Sequence, residues 1–263
     1  MARLFAAILG TGLLLAYPSP SRAEEPEACP GLVAFAPPLG HRASLARDDV
    51  GLTFVGHATF LIETPQGIRI ATDYNDYVRP SVRPTIATMN KAHSTHFTFV
   101  PDPAIPHVLR GWDPSGRPAR HDLTVGDVRV RNVSTNIRDL GGRTEFDGNS
   151  IFVFETTQLC IAHLGHLHHT LSPEHLKKLG RIDVVLVPVD GGYTLETFDM
   201  MEVLKAIDAK LMLPMHYFNP STLERFLAAA RKHYPVEFSD NPSLTISRAT
   251  LPRQPMVLVL PGR

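Results

Sequence analysis

The sequence predicts an α/β domain in which sheets are flanked by helices. Short β-type runs dominate the chain up to residue 162, and helix signals begin only after residue 171. From there on, apolar strand-like runs alternate with helix-like segments. Strands that come first, followed by alternating strands and helices, are typical of sheets and helices packed around one core. The chain has 263 residues, a length that suits a single domain of this kind after loss of a short leader.

The first 23 residues have the pattern of a secretory signal. Arg3 supplies a positive charge, residues 4–17 are almost wholly apolar, and Ala23 is a small residue at the expected cleavage site. A membrane anchor is the alternative, but the apolar run is shorter than the ~20 residues that a span needs. We therefore expect cleavage after Ala23, no stable membrane insertion afterwards, and an exported protein. It would be periplasmic in a bacterium with two membranes and otherwise secreted.

The domain itself is expected to comprise residues 49–263, preceded by an irregular lead-in at residues 24–48 that is rich in proline, alanine and arginine. Its first three strands are predicted at residues 52–55, 59–62 and 68–71, and Asp73 ends the third. Pro65-Gln66-Gly67 predicts a hairpin turn between the second and the third. Residues 74–121 contain seven prolines and predict a long loop region.

The second half of the domain predicts further strands and three helices. Ser172 is expected to cap the first helix, with Pro173 in its first turn and Gly180 at its end. Residues 184–189 are apolar throughout and predict a buried strand, in which Pro188 lies near the end, where a missing N–H is tolerated. The other helices are expected at residues 195–207 and 221–233. The other strands are expected at residues 123–133 and 150–155, linked through Gly141 and Gly142, and at 159–162, 210–213, 244–246 and 256–260.

The balance of charges limits the kinds of binding partner that the sequence predicts. Lysine plus arginine and aspartate plus glutamate each number 26, so nothing favours nucleic acid or an anionic membrane surface. A small-molecule substrate is expected, and the sequence does not indicate an oligomeric state.

An exported protein could pair its two cysteines, Cys29 and Cys160. Alternatively, Cys160 is a buried thiol, because it lies within an apolar run.

Histidines provide the clearest chemical signal. Five of the 13 fall into three clusters: His93 and His96, His163 and His166, and His216. The second and third clusters follow strand-like runs, and strand ends bring remote residues together at one edge of a sheet. Neutral imidazoles gathered in this way bind transition metals. We interpret His41, His107, His121, His168, His169, His175 and His233 as ordinary side chains.

Five segments resemble the metallo-β-lactamase fold, and within it the lactonase-like and phospholipase-D-like hydrolases. The segments are residues 56–62 (Gly-His-Ala-Thr-Phe-Leu-Ile), 70–73 (Ile-Ala-Thr-Asp), 161–165 (Ile-Ala-His-Leu-Gly), 184–192 and 214–217 (Pro-Met-His-Tyr). The resemblance covers nearly the whole chain after the leader. It implies a single-domain αββα sandwich that carries a metal-dependent hydrolase site.

The chain departs from the main motif of that family, His-x-His-x-Asp-His. Here residues 91–96 read Lys-Ala-His-Ser-Thr-His, so Lys91 and Thr95 replace a histidine and the aspartate. His166 stands where the family has a bridging aspartate. Two divalent cations without an anionic ligand between them would repel each other, so one metal ion is expected. Zinc is the first choice, and iron or manganese are possible alternatives.

The residues leave two ligand sets open. One set is His96, His166 and His216, with His93 and His163 close by. The other is His93, His163 and His166. Three imidazoles plus an open position form a known catalytic zinc arrangement.

Other residues are expected to act beside the metal. Lys91 is either a base or anion-binding group, or it forms a surface ion pair. With no aspartate at position 95, proton transfer would fall to His166, Lys91 or His93. The resemblance places His57, Asp73, Thr95 and Asp190 next to the ligands, where Asp73 could orient an imidazole. Turn-forming roles are the alternatives for Asp73 and Asp190.

Two functions follow from this reasoning. The first is an exported hydrolase that uses a metal-activated water on a small ester, lactone, amide or phosphodiester. The second is a non-hydrolytic metal-binding, ligand-binding or redox protein on the same fold, which the substitutions at positions 91, 95 and 166 favour. Hydrolysis of β-lactams is a weaker third option, because fold does not imply function.

Overall fold

The structure is a computed structural model that describes residues 45–139, 141–156 and 158–262. These residues form two sheets and three helices. The strands are β1 (Val50–Gly56), β2 (Thr59–Glu63), β3 (Arg69–Ala71), β4 (Ile86–Met89), β5 (His107–Arg110), β6 (Asp122–Val125), β7 (Val128–Arg138), β8 (Thr144–Thr156), β9 (Leu159–His163), β10 (Val184–Pro188), β11 (Leu211–Met215), β12 (Val236–Phe238), β13 (Ser243–Ile246) and β14 (Met256–Val259). The helices are α1 (Pro173–Leu179), α2 (Thr197–Ile207) and α3 (Pro220–Ala230).

Both sheets mix parallel and antiparallel pairs. The first has the order β13-β1-β2-β3-β4-β5, and the second has the order β12-β14-β11-β10-β9-β8-β7-β6. Strands β3, β4 and β5 run parallel, as do β9, β10, β11 and β14. The carboxyl ends of parallel strands meet at one edge of a sheet, and ligands bind beyond such edges in α/β proteins. This topology sets the place of the candidate site.

One core fills the space between the two sheets. It contains four fully or almost fully buried phenylalanines, Phe54, Phe60, Phe152 and Phe154. The rings of Phe54 and Phe60 stack with centroids 4.9 Å apart. Burial of such a side chain stabilises the fold by about 1.5–3 kcal/mol. Leu186 and Leu213 of the central parallel strands complete the contact from the second sheet.

A second core lies between the second sheet and the helices. Leu179 of α1, Leu204 of α2 and Phe226 of α3 pack with Val185 and Met212 of the sheet. The helix predictions are confirmed, with ends that differ by a few residues.

Helix α1 begins and ends where its sequence signals predict. The Ser172 hydroxyl accepts a hydrogen bond from the backbone N–H of His175, Pro173 is the first helical residue, and Gly180 follows the last. The described helices are all too short or too polar to cross a membrane.

Residues 74–121 cover the other face of the first sheet. Met89 and Ile105 are buried there with Ala71, and Trp112 packs against them. This region is rich in loops, as predicted, but it also contains β4 and β5, which the sequence did not indicate. These four-residue strands form by parallel pairing, β4 with β3 and β5 with β4.

The predicted strand at residues 123–133 is in fact two strands. Gly126 has a φ of +55°, which allows a tight turn between β6 and β7. The turn residue Asp127 accepts a hydrogen bond from Thr64 at 2.5 Å.

The predicted leader (1–23) and most of the predicted lead-in lie outside the described residues. Cys160 is fully buried and is not a free thiol. Because Cys29 also lies outside the described residues, the pairing of the two cysteines stays a prediction.

Candidate metal centre

The candidate site lies where several strands end. His57 follows β1, Asp73 lies two residues after β3, Asp190 lies two residues after β10, and His216 follows β11. The backbone N–H of His216 donates to the carbonyl of His57 at 2.6 Å, so the two sheets are tied together at the site.

Backbone strain is concentrated at this edge. His57, Asp73 and His216 have φ values of +51°, +41° and +57°, a region that side-chain-bearing residues rarely adopt. Such conformations persist only where the surrounding structure holds them, and they cluster at functional sites.

Four imidazoles meet at this point. His57, His93, His96 and His216 each offer a ring nitrogen, and these nitrogens lie within 4.8 Å of one another. The ring of His166 stands perpendicular to those of His96 and His216, with centroids 5.0 Å from each. The structure thus brings together four of the five clustered histidines that the sequence indicated, and it adds His57 to them.

Two carboxylates fix the orientation of two of these rings. Asp73 lies 2.5 Å from His96 Nδ1, and Asp190 lies 2.9 Å from His216 Nδ1. Where the facing carboxyl is ionised, each Nδ1 carries the proton and each Nε2 presents a lone pair. The two Nε2 atoms face each other at 3.0 Å. Two lone pairs at this distance repel each other unless both bind a cation that lies to one side of the line between them, so the pair suits a metal ion.

His166 supplies the strongest indication of a ligand. Its side chain is 4% exposed, and within the described part of the chain neither ring nitrogen has a hydrogen-bond partner. Buried polar atoms are nearly always hydrogen-bonded, so an imidazole left unpartnered beside two other imidazoles requires an explanation. A bound transition metal provides one.

The imidazoles are held in the neutral form that binds metals. Burial, followed by the neighbouring His216, lowers the pKa of His96 and of His166 well below its usual value. The same two causes lower the pKa of His57 to about 3 and that of His93 to about 4. Near neutral pH these rings are therefore uncharged, and each keeps one nitrogen lone pair.

Asp190 is held as an anion. Burial opposes its ionisation, but hydrogen bonds from His216, Thr194 and the Gly192 backbone lower its pKa below the usual range. The backbone N–H groups of Gly192 and Tyr193 donate to it at 2.9 and 2.5 Å. Asp190 is thus anchored by its own loop, and its contact with His216 Nδ1 fixes the orientation of that ring.

Asp73 is anchored differently. It is fully buried, and burial raises the pKa of its carboxyl well above the usual value, against the hydrogen bond from Asn90. Asn90 Nδ2 donates to Asp73 at 3.0 Å, and the Asn90 backbone N–H donates to the carbonyl of His96 at 3.1 Å. Asn90 therefore holds both members of the Asp73–His96 pair in place.

Three supporting residues were not found by sequence reasoning: Asn90, Asn149 and Gly165. Asn149 Oδ1 accepts the His166 backbone N–H at 2.8 Å. Gly165 has a φ of +61°, and a Cβ there would collide with both asparagine side chains. Gly165 is adjacent to His166 in the His-Leu-Gly-His sequence, which was the only local signal for it.

His163 does not join the cluster. Its Nε2 lies 2.8 Å from the Ala58 carbonyl, and its Nδ1 accepts the Gly165 backbone N–H at 3.1 Å. Both ring nitrogens are therefore occupied. The alternative ligand set of His93, His163 and His166 does not fit this geometry, and His163 links the two sheets instead.

Lys91 and Thr95 have local partners. The Lys91 ammonium pairs with Glu145 near the surface, which is the ion-pair alternative that the sequence left open. Thr95 Oγ1 lies 2.8 Å from His57 Nε2 and 2.8 Å from His93 Nδ1. One hydroxyl donates to one ring and accepts from the other, so Thr95 couples the protonation of these two histidines.

A cavity of about 620 Å³ opens beside the cluster. His93 and His166 line it, together with Tyr193 and Phe218. Its volume lies within the range of small-molecule sites.

Comparison with known proteins places this geometry in a family. A family model described as "Beta-lactamase superfamily domain" matches residues 51–216, which is more than half of the chain. The chain belongs to this superfamily. The predicted resemblance and the predicted fold class are thereby confirmed. Within the described residues, the helices all pack against the second sheet.

Several relatives are similar over most of their length. A UPF0173 metal-dependent hydrolase of Methanoregula boonei is 24% identical over 193 residues, which cover 68% of this chain and 86% of that protein. One of the same description from Chloroflexus aurantiacus is 24% identical over 221 residues, with coverage of 66% and 85%. Among solved structures, a Thermotoga maritima protein assigned as a Zn-dependent hydrolase of the metallo-β-lactamase superfamily is 27% identical. It superposes with a TM-score of 0.61, covering 81% of this chain and 100% of that one.

Proposed function

We propose that this protein is a metal-dependent hydrolase that holds one divalent ion, zinc, through His96, His166 and His216. The observation that carries the proposal is the unpartnered, buried His166 next to two imidazoles whose Nε2 atoms face each other at 3.0 Å. The donor set is all nitrogen, which suits zinc. Carboxylates behind ligand histidines are the usual support of such sites, and Asp73 and Asp190 occupy that place.

A single ion is favoured because, in the segments that the structure describes, no carboxylate joins the group of converging ligand nitrogens. Both nearby carboxylates contact the far side of a ring instead. When bound, zinc lowers the pKa of a water molecule and polarises the oxygen of a substrate.

His93 is proposed as the group that moves the proton. It lines the cavity, and burial lowers its pKa to about 4, so the ring is neutral at pH 7. Its Nδ1 is bonded to Thr95, which leaves Nε2 to accept a proton from the attacking water. When Nδ1–H donates to the Thr95 hydroxyl, that hydroxyl donates in turn to His57 Nε2, and His93 Nε2 carries the required lone pair. Lys91 has no part in this step, because its ammonium is paired with Glu145.

The proposed substrates are small esters, lactones, amides or phosphodiesters, bound in the cavity of about 620 Å³. The test is a hydrolysis panel of these four classes with zinc-loaded protein. We expect turnover of at least one class, a loss of at least ~100-fold in His216→Ala, and no change in His233→Ala, whose side chain is exposed. Protein that binds zinc and cleaves nothing in the panel would overturn the proposal.

A second candidate is a non-hydrolytic or redox protein on the same fold. The all-imidazole cluster favours it, because imidazole also suits iron and copper. Elemental analysis of protein purified without added metal separates the two. Iron or copper at one equivalent favours redox chemistry, and zinc favours hydrolysis.

We also propose that the protein acts outside the cytoplasm. Support comes from the charged start, apolar run and small-residue site within residues 1–23. N-terminal sequencing of the protein from the exported fraction should begin at residue 24. A full-length chain retained in the cytoplasm would contradict this.

A further inference from the structure

The cavity beside the histidines has a guanidinium on its wall. Arg138 is the last residue of β7 and lines the cavity. Among the described residues, no carboxylate lies within ion-pair distance of it. The one hydrogen bond of its guanidinium to these residues is a long one, from Nη1 to the Gly192 carbonyl at 3.4 Å. A guanidinium has five N–H donors, so most of those on Arg138 are left for a ligand.

The carboxylate that follows Arg138 in the sequence is already engaged. Asp139 also lines the cavity, but its carboxylate pairs with Arg143 at 3.1 Å. It accepts the backbone N–H groups of Gly141 and Arg143 as well, each at 2.8 Å. Asp139 thus closes its own turn, and the exposed Arg138 side chain has no ion-pair partner among the described residues.

An aromatic wall joins this charge to the histidines. The Tyr193 side chain is 66% exposed and that of Phe218 is 53% exposed, although both are large and largely apolar. Their rings meet edge to face with centroids 5.6 Å apart. The Phe218 ring is also 5.3 Å from that of His216, so the apolar surface reaches the cluster itself. Exposed aromatic rings on the wall of a cavity are typical of binding sites.

We propose that this cavity selects organic anions, in which Arg138 holds a carboxylate or phosphoryl oxygen and Tyr193 and Phe218 pack against an apolar portion. The proposal rests on the proposed function in one respect, since the bond to be cleaved would lie at the histidines. The guanidinium fork matches carboxylate and phosphoryl oxygens through paired hydrogen bonds. A wholly apolar substrate would bury the charge of Arg138 without a partner, which is unfavourable.

The test measures binding, so it does not depend on turnover. Titration calorimetry with zinc-loaded protein would use phenylacetate, phenylphosphonate and the neutral phenylacetamide. We expect at least one anion to bind ~10-fold or more tightly than the amide, and the stronger of the two identifies the oxyanion. Arg138→Gln should weaken anion binding by at least ~10-fold and leave the amide unchanged. Arg138→Lys should give an intermediate loss, because the charge remains without the fork.

Two controls separate recognition from general effects. Arg231→Gln removes the same charge from α3, where Arg231 pairs with Glu224, and should change no affinity by more than twofold. Tyr193→Ala should weaken the anions and the amide alike. Equal anion affinity in wild type and Arg138→Gln, or an equal loss in Arg231→Gln, would overturn the proposal.

The anion subsite and the hydrolase activity can each be refuted without refuting the other. Anion binding that depends on Arg138, in a protein that cleaves nothing, would leave the subsite standing and remove the hydrolase. Turnover of a substrate panel that is indifferent to Arg138→Gln and to substrate charge would support the hydrolase and refute the anion subsite.

Discussion

His163 should make the stability of the protein depend on pH. Its ring is fully buried, with one nitrogen on the Ala58 carbonyl and the other accepting the Gly165 N–H. Protonation of His163 Nδ1 would place its N–H opposite the Gly165 N–H, so the folded state disfavours the protonated ring. Burial is the main cause that lowers the pKa of His163 from 6.5 to about 4, against the hydrogen bond to Ala58.

The sign and size of the effect follow from this shift. Between pH 6.5 and about 4, the unfolded chain binds a proton at His163 that the folded chain does not. The free energy of unfolding therefore falls as the pH falls, by about 1.4 kcal/mol per pH unit from this residue alone. Over the whole window the loss is on the order of 3 kcal/mol.

The variant His163→Gln isolates this contribution. Glutamine can still donate to the Ala58 carbonyl but leaves the Gly165 N–H unpaired, which costs about 1–3 kcal/mol at pH 7. The deficit relative to wild type should shrink by about 2 kcal/mol between pH 6.5 and pH 5, since the variant loses the proton linkage. Urea unfolding of wild type and variant in the presence of a chelator measures this deficit at each pH. His233→Gln, an exposed substitution, is the control. A deficit that is constant from pH 7 to pH 5 would refute the reasoning.

Three further predictions concern the site. Asp73→Asn should weaken zinc binding by about 10–100-fold in a competition titration, because His96 loses the carboxylate that orients it. Gly165→Ala should lower the free energy of unfolding by at least ~2 kcal/mol in urea, because a left-handed φ and a clash combine. Lys91→Ala should leave kcat/KM within about threefold on any substrate found, because its ammonium pairs with Glu145 at the surface.

Each of these predictions has its own control or contrary outcome. Asp76→Asn changes an exposed carboxylate paired with Arg79 and should leave zinc affinity unchanged. Gly67→Ala has a similar φ of +78° with open space around the new Cβ, so a loss as large as that of Gly165→Ala would count against the clash. A tenfold loss of turnover in Lys91→Ala would restore that residue as a catalytic candidate.

Local signals in the sequence predicted much of the fold. The Pro65-Gln66-Gly67 turn is confirmed, since the Gly67 N–H donates to the Thr64 carbonyl at 2.8 Å between β2 and β3. The apolar run of β10 also became a buried central strand. Strands β4 and β5 were missed. They form by pairing with neighbouring strands, and short segments among prolines carry little local signal of such pairing.

The candidate site could be predicted only in part. Convergence of the histidines followed from parallel strand ends, whose position is a property of the topology. The side to which each ring points depends on strand register, and so the position of His163 differed from expectation. His163 pairs with Phe152 in the ladder and contacts Ala58 in the turn between β1 and β2 of the other sheet. Asn90 and Asn149 had no signal, because a single asparagine in a loop or strand is ordinary.

The central claim is that His96, His166 and His216 hold one ion. The most direct measurement is anomalous diffraction from crystals of the zinc-loaded protein, recorded on both sides of the zinc edge. The account predicts a single peak about 2.0–2.1 Å from Nε2 of His96, Nε2 of His216 and one ring nitrogen of His166. Two peaks in the cluster, or a peak whose ligands exclude His166, would contradict it.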